Sequence, residues 1–374
     1  KTEEKWKVSL NDAWAAPSTV ILGDSLYTVY GSMMSGTCSL QKRSLSDGSV
    51  QNESKLINSI GFFPYITYGD GKLFVSINNG RIEAFDADTL SPLWISESLY
   101  DAIGNDAGGQ QSLAPIIYYN GYVYTGSTYG NAKTGMYYCV SADCDEIAPS
   151  DADEWKSVIS NGGLKVNKFK WTYVPDVGKK GFYWSGGAIA GNAIVFGGDN
   201  GEIVSHSLTA DTVYDKVDLN ISGYSKDSNP SAIRSTVYYD RKTARVFVSS
   251  KEGCTVSSVI VKPDGTFSHS SLLEKVIPDA GNITSSPIVY NGRLYIGSGG
   301  MGGGSVFSVL DAGTLNLIYQ VPIQTQSTPV LTTAYATAEN HNTVYIYVAK
   351  YPQTYEDGKL KDSIYCIKDY EGGI

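Results

Sequence analysis

One short pattern constrains this chain more than any other: an apolar strand of four residues that returns seven times. It stands as Leu26-Tyr27-Thr28-Val29 and again at 73–76, 123–126, 194–197, 246–249, 294–297 and 344–347. Each copy follows an apolar stretch and a tight turn, clearest in Ser286-Pro287-Ile288-Val289-Tyr290-Asn291-Gly292-Arg293. Asn-Gly between apolar runs marks a two-residue hairpin, because both turn positions demand positive φ. Asn120-Gly121, Gly69-Asp70-Gly71, Gly191-Asn192 and Gly23-Asp24 stand at matching places. A third strand and an Asp-centred turn come next, as in Phe85-Asp86-Ala87-Asp88-Thr89 and Leu310-Asp311-Ala312-Gly313-Thr314. A fourth strand then brings an aromatic residue: Trp94, Trp171, Tyr214, Phe267 or Tyr319.

Seven units of four short strands predict an all-β fold, a seven-bladed β-propeller of four-stranded antiparallel blades occupying residues 1–374 as a single domain. One blade cannot bury both faces of its sheet, so neighbouring blades must do it, with the aromatic residue filling the wedge between them. A helical reading fails, because the apolar residues alternate by two and Gly or Pro interrupts them repeatedly. The seventh unit runs through Ile364-Tyr365-Cys366-Ile367-Lys368-Asp369 and its turn without a fourth strand. Lys5-Trp6-Lys7-Val8-Ser9-Leu10 has that strand's pattern, so the N-terminal strand is expected to complete the last blade and leave no open edge. The rival reading is an eight-bladed ring cut short.

Composition agrees with this. Gly 40 and Tyr 28 suit short strands and tight turns, and 42% hydrophobic residues supply a core. A net charge of −9 with no basic patch argues against nucleic acid or an anionic membrane as partner. No stretch approaches the roughly 18–20 apolar residues of a membrane span. The first residues lack a hydrophobic signal core, so any export signal has been removed or never existed. Five cysteines are scattered, with one close pair, Cys139 and Cys144. That pair reads equally as a disulfide of an oxidising compartment or as two thiols, and the others read as small buried hydrophobes.

The unit Ser285 to Gly297 followed by Leu310-Asp311-Ala312-Gly313-Thr314 resembles the repeat of pyrroloquinoline-quinone (PQQ) enzymes, and so does Phe85-Asp86-Ala87-Asp88-Thr89 leading to Trp94. The likeness spans nearly the whole chain, with two or three units matching well. It implies a propeller like that of quinone-dependent alcohol and sugar dehydrogenases, or of non-catalytic bacterial envelope proteins that use the fold as a scaffold. The enzymes of that family hold the quinone between a Trp and an adjacent Cys-Cys disulfide, with a calcium ion on Glu, Asn and Asp. This sequence has no vicinal cysteines and no such set, so the resemblance implies the fold and points to the non-catalytic branch without a cofactor.

Other chemistry is sparse. Gly299-Gly300-Met301-Gly302-Gly303-Gly304 joins two strands and lacks the helix N-terminus that phosphate binding needs, so it reads as a long turn. The insertion 143–167 reads as a short capped helix beginning at Ser150. Calcium binding by Asp143, Asp145, Asp151 and Asp153 fits no EF-hand spacing, and no metal is expected. Aligning the units puts Ser112, Trp184, Arg234, Thr284 and Gln326 at one mouth of the central channel. Longer loops bring Tyr100, Asp101, Asn105, Gln110, Tyr183, Tyr224, Tyr351 and Tyr355 to the same face. Arg234 with Trp184 and the tyrosines suits an anion or a sugar ring, unless a carboxylate already pairs the arginine. The expected function is a non-enzymatic, secreted or cell-surface monomer that binds a protein or carbohydrate partner on this face. The alternatives are a quinone-dependent dehydrogenase, a carbohydrate-active enzyme working in the funnel, or a spacer domain.

Overall fold

The computed structural model describes residues 5–8, 14–15, 18–31, 38–60, 64–98, 114–128, 135–149, 156, 159, 163–176, 181–221, 232–299, 304–337, 339, 342–356 and 359–373, with backbone alone at 14–15, 351–356 and 359–363. Its strands form seven sheets, one for each sequence unit. Residues 1–186 with 209–211 make one compact unit, which carries the first three sheets. Residues 187–208 with 212–374 make another, which carries the remaining four.

The second sheet shows how sequence makes a blade. Ile66–Gly69, Lys72–Ile77, Arg81–Asp86 and Pro92–Ser96 pair in order as an antiparallel meander. Asp70 and Gly71 take positive φ, 48° and 72°, as the hairpin between the first two strands requires. Alternation then divides the second strand between two interfaces. Leu73 and Val75 pack with Val29 and Leu40 of the first blade, whereas Phe74 packs with Val123 and Tyr138 of the third. Both faces are covered, so the strand is apolar at consecutive positions.

The same division recurs in the second unit. Val246 and Val248 face the fourth blade while Phe247 faces the sixth; Leu294 and Ile296 face the fifth blade while Tyr295 faces the seventh. In six blades the pairing of third and fourth strands carries a bulge, as between Ala84 and Phe85 or Ser205 and His206. A bulge sharpens the local twist. The Asp turns close the same pairs: Asp86 Oδ1 accepts from the Thr89 amide and hydroxyl, and Asp311 Oδ1 from those of Thr314, all at 2.8 Å. These bonds hold the Asp86 carboxyl below the usual carboxylate range, the Thr89 amide contributing most.

Blades lock to their successors through the outer aromatic. Trp94 Nε1 donates to Ala142 O of the third blade at 3.0 Å, and Tyr214 packs on Gly265 of the fifth. Trp6 makes the same contact on the first blade, donating to Leu45 O at 2.9 Å with its ring on Gly48. The N-terminal segment therefore supplies the aromatic that a preceding blade's outer strand supplies elsewhere. The seventh sheet itself has three strands among the described residues, Val330–Thr332, Val344–Glu356 and Lys359–Asp369.

The insertion departs from expectation. Lys165–Asn167 runs parallel to Pro92–Ser96 and adds a fifth strand to the second sheet, while Ala148, Ile159 and Val166 join the core between the first two blades. The segment thus clips three blades together. Of the expected helix, only Lys156 and Ile159 lie within the described residues, and both are helical. Asp143, Asp145 and Glu146 pair with Lys72, Lys170 and Lys168, and Asp151 and Asp153 lie outside the described residues. No disulfide joins Cys139 to Cys144; Cys139 is fully buried and burial pushes its thiol up. Among the described residues no helix is long and apolar enough to cross a membrane.

Candidate binding face

In each of the first six blades the second strand ends on the side where the fourth strand leads into the next blade. In the second unit a belt of serines organises this side. Ser235 Oγ accepts from the Ser249 amide and donates to Ser249 O, closing the first strand of the fifth blade onto its second. Ser249 Oγ then donates to Ser285 O of the sixth blade, and Ser285 Oγ to Ser327 O of the seventh, each at 2.9 Å. Ser327 Oγ accepts from the Ala349 amide. A serine fits here because a small hydroxyl satisfies both its own blade and the backbone of the next.

The residues before Ser235, Ser285 and Ser327 are Arg234, Thr284 and Gln326, all half-buried. Arg234 Nε donates to Asp199 Oδ1 at 3.0 Å, and the Asp199 side chain is fully buried. Asp199 follows the second strand of the fourth blade, Ala193–Gly197, and its carbonyl accepts from the Ala232 amide. The carboxylate partner weighed against a free anion site is therefore present. Lys251 lies on the same rim, bonded through its amide to Ala232 O and through Nζ to Glu252 at 3.0 Å. Thr284 Oγ1 is buried with no hydrogen-bond partner among the described residues.

In the first unit the matching position is Trp184, at φ +59°. Left-handed backbone at a bulky residue is costly, on the order of 1–3 kcal/mol. It turns two successive side chains to one side, and the Tyr183 and Trp184 rings meet at 4.7 Å. Ser112, Tyr100, Asp101, Asn105, Gln110 and Tyr224 lie outside the described residues, and Tyr351 and Tyr355 are described by backbone alone. Sequence reasoning missed Asp199, Lys251 and the belt; the belt alone left a signal, a serine before the first strand in successive units.

The seventh blade adds a second feature to this side. Second strands elsewhere in the second unit span five residues, Ala193–Gly197, Arg245–Ser249 and Arg293–Gly297. Here the second and third strands reach 13 and 11 residues. The first strand pairs only with Tyr345, Ile346 and Tyr347, so the pair runs on from the blade as a two-stranded ribbon.

A search of family models and of curated proteins finds no match to this sequence. Solved structures do match its fold. BamB from Moraxella catarrhalis is 12% identical with a TM-score of 0.55, covering 95% of this chain and 90% of its own. Quinohemoprotein alcohol dehydrogenase from Comamonas testosteroni is 11% identical with a TM-score of 0.55, covering 96% and 67%. Saccharomyces cerevisiae Sqt1 is 9% identical with a TM-score of 0.57, covering 88% and 79%. The chain has the fold of a seven-bladed β-propeller. At these identities the likeness speaks for the fold alone. The sequence has no adjacent cysteines, and among the described rim residues Asp199 is buried against Arg234.

Proposed function

We propose that this propeller is a non-enzymatic, secreted or cell-surface binding module whose partner is a protein held on the serine-belt side. The observation that carries the reading is the ribbon of the seventh blade. Two-stranded ribbons are marginal by themselves, and their open edges are a liability that folds normally blunt. A ribbon running on past its blade makes sense as a surface for another chain. Pro352 and the charges of Lys350, Glu356, Lys359, Lys361 and Asp362 guard it against indiscriminate pairing. The rim supports the same reading, since its cations are matched by carboxylates and are poised for hydrogen bonding more than for chemistry.

Shortening the ribbon by joining Lys350 to Ser363 through Asn-Gly is expected to leave thermal unfolding within a few degrees of wild type. It is expected to abolish chemical cross-linking of the purified chain to its partner in extracts of the source organism. Undiminished cross-linking by the shortened chain removes the proposal. The Tyr183–Trp184 pair favours carbohydrate as a second reading, because paired rings suit the apolar face of a sugar. A glycan array separates the two: binding lost in the Trp184→Ala variant selects the sugar.

A further inference from the structure

We propose that Glu83 is a proton-sensing latch between the first two blades: protonated, it seats dry in their shared core, and ionised, it draws water in and releases the segment 56–60. Glu83 lies mid-strand in Arg81–Asp86, opposite Val75 and Ile95, and is only 1% exposed. The core around it holds Val29, Leu40, Leu56, Ile60 and Phe85. Its one hydrogen-bond partner among the described residues is the Ile57 amide, which donates to Oε2 at 2.9 Å. A carboxylate in such surroundings lacks the donors that would replace water.

Among the described residues the charged groups that share this face are few. Arg81 precedes Glu83 by two residues on the same strand and is fully buried. Glu97 follows Ile95 by two residues and accepts from the Phe169 amide. From the first blade comes Lys42, whose ammonium sits over the Tyr27 ring. The inward positions of Lys72–Ile77, the segment 56–60 and Val166 of the insertion bring no charge. Burial pushes the Glu83 carboxyl up to about 8, with the Ile57 amide as the only counterweight.

The sign follows from proton linkage. The folded value lies above the unfolded one of about 4.3, so the folded form holds the proton between the two. Stability of the seam is full below that lower value and falls as pH rises toward 8, then levels off. Each pH unit in the window raises the opening constant about tenfold. The segment that opens is anchored by Leu56 N to Cys38 O and by Asn78 N to Ser59 O. It connects the outer strand of the first blade, Val50–Lys55, to the second blade.

Hydrogen exchange of the Leu56, Ile57 and Asn78 amides tests this between pH 5.5 and 7.5. Corrected for intrinsic exchange, wild type is expected to open about a hundredfold more at the upper pH. Glu83→Gln is expected to show no such rise. Equal pH dependence in the two proteins overturns the latch. Direct titration of the Glu83 carboxyl by carbon NMR in wild type needs no variant. A midpoint near 8 is expected, and one in the ordinary glutamate range overturns the proposal.

Discussion

Replacing Asp369 with alanine is expected to destabilise the second unit by about 2–4 kcal/mol, the cost of removing a buried carboxylate that holds a largely buried cation and the Tyr295 hydroxyl. Asp369 ends the third strand of the seventh blade and is 2% exposed. Its oxygens accept from Arg293 Nη1 at 3.0 and 3.1 Å, from the Tyr295 hydroxyl at 2.8 Å and from the Glu371 amide at 3.2 Å. Arg293 and Tyr295 both belong to the sixth blade, so a single carboxylate satisfies two groups of the neighbouring sheet and the turn that follows it. Burial, reinforced by Asp369, pushes the Tyr295 hydroxyl well above its usual value, so it stays a donor at any ordinary pH. Glu371 also bonds Arg293, at 3.0 Å, but is largely exposed, and its removal is expected to cost under about 1 kcal/mol. Urea unfolding of Asp369→Ala, Arg293→Ala and the double variant measures the coupling. Additive losses would mean that the contact carries no energy of its own.

Trp94→Ala is expected to cost the first unit a further large amount, about 3–5 kcal/mol from the emptied space. The indole is 2% exposed, contacts Phe74 with ring centroids at 5.8 Å, and donates to Ala142 O. Truncation therefore loses packing between two blades and strands a buried carbonyl, which adds about 1 kcal/mol. Trp94→Phe separates the two effects, because it keeps most of the volume and loses the donor. Trp6→Ala removes the same kind of contact from the first blade, but Trp6 is half-buried and its loss is expected to cost less. Thermal unfolding of the three variants checks the order, Trp94→Ala lowest, then Trp6→Ala and Trp94→Phe. A Trp94→Ala melt near wild type would mean that the outer aromatic does not join the blades.

Much of this fold was legible because each blade repeats the same local solution. The Asn-Gly and Asp-Gly turns, the Asp86 and Asp311 turns and the run Leu73-Phe74-Val75 each state their structure within a few residues. Trp6 could be read from pattern as an aromatic that packs on a neighbouring blade, and its contact with Gly48 agrees, although residues 5–8 themselves form no strand. What the sequence hid depends on distant partners. Arg81-Ile82-Glu83-Ala84-Phe85 looks like a strand with one wet face, yet Arg81 and Glu83 are buried because a second blade covers that face. Lys165–Asn167 has no β pattern of its own and becomes a strand only by lying beside Pro92–Ser96. Asp199 stands 35 residues from Arg234, and only the packing of the fourth blade on the fifth brings them together. Of the proposed binding residues, Arg234, Thr284 and Gln326 each precede a serine that is hydrogen-bonded to backbone or to a neighbouring side chain of the second unit.

The claim that the serine-belt side is the protein-binding side can be measured by site-specific photo-cross-linking in the source organism. A photoreactive residue is placed at Gln326, Lys251 or Gln353 on that side, and at Asn192, Asn291 or Gly313 among the turns of the opposite side. Mass spectrometry then identifies what each position captures. One shared protein partner is expected at the first three positions and none at the second three. Capture of that partner from Asn192, Asn291 or Gly313, with nothing captured from Gln326, Lys251 or Gln353, would contradict it.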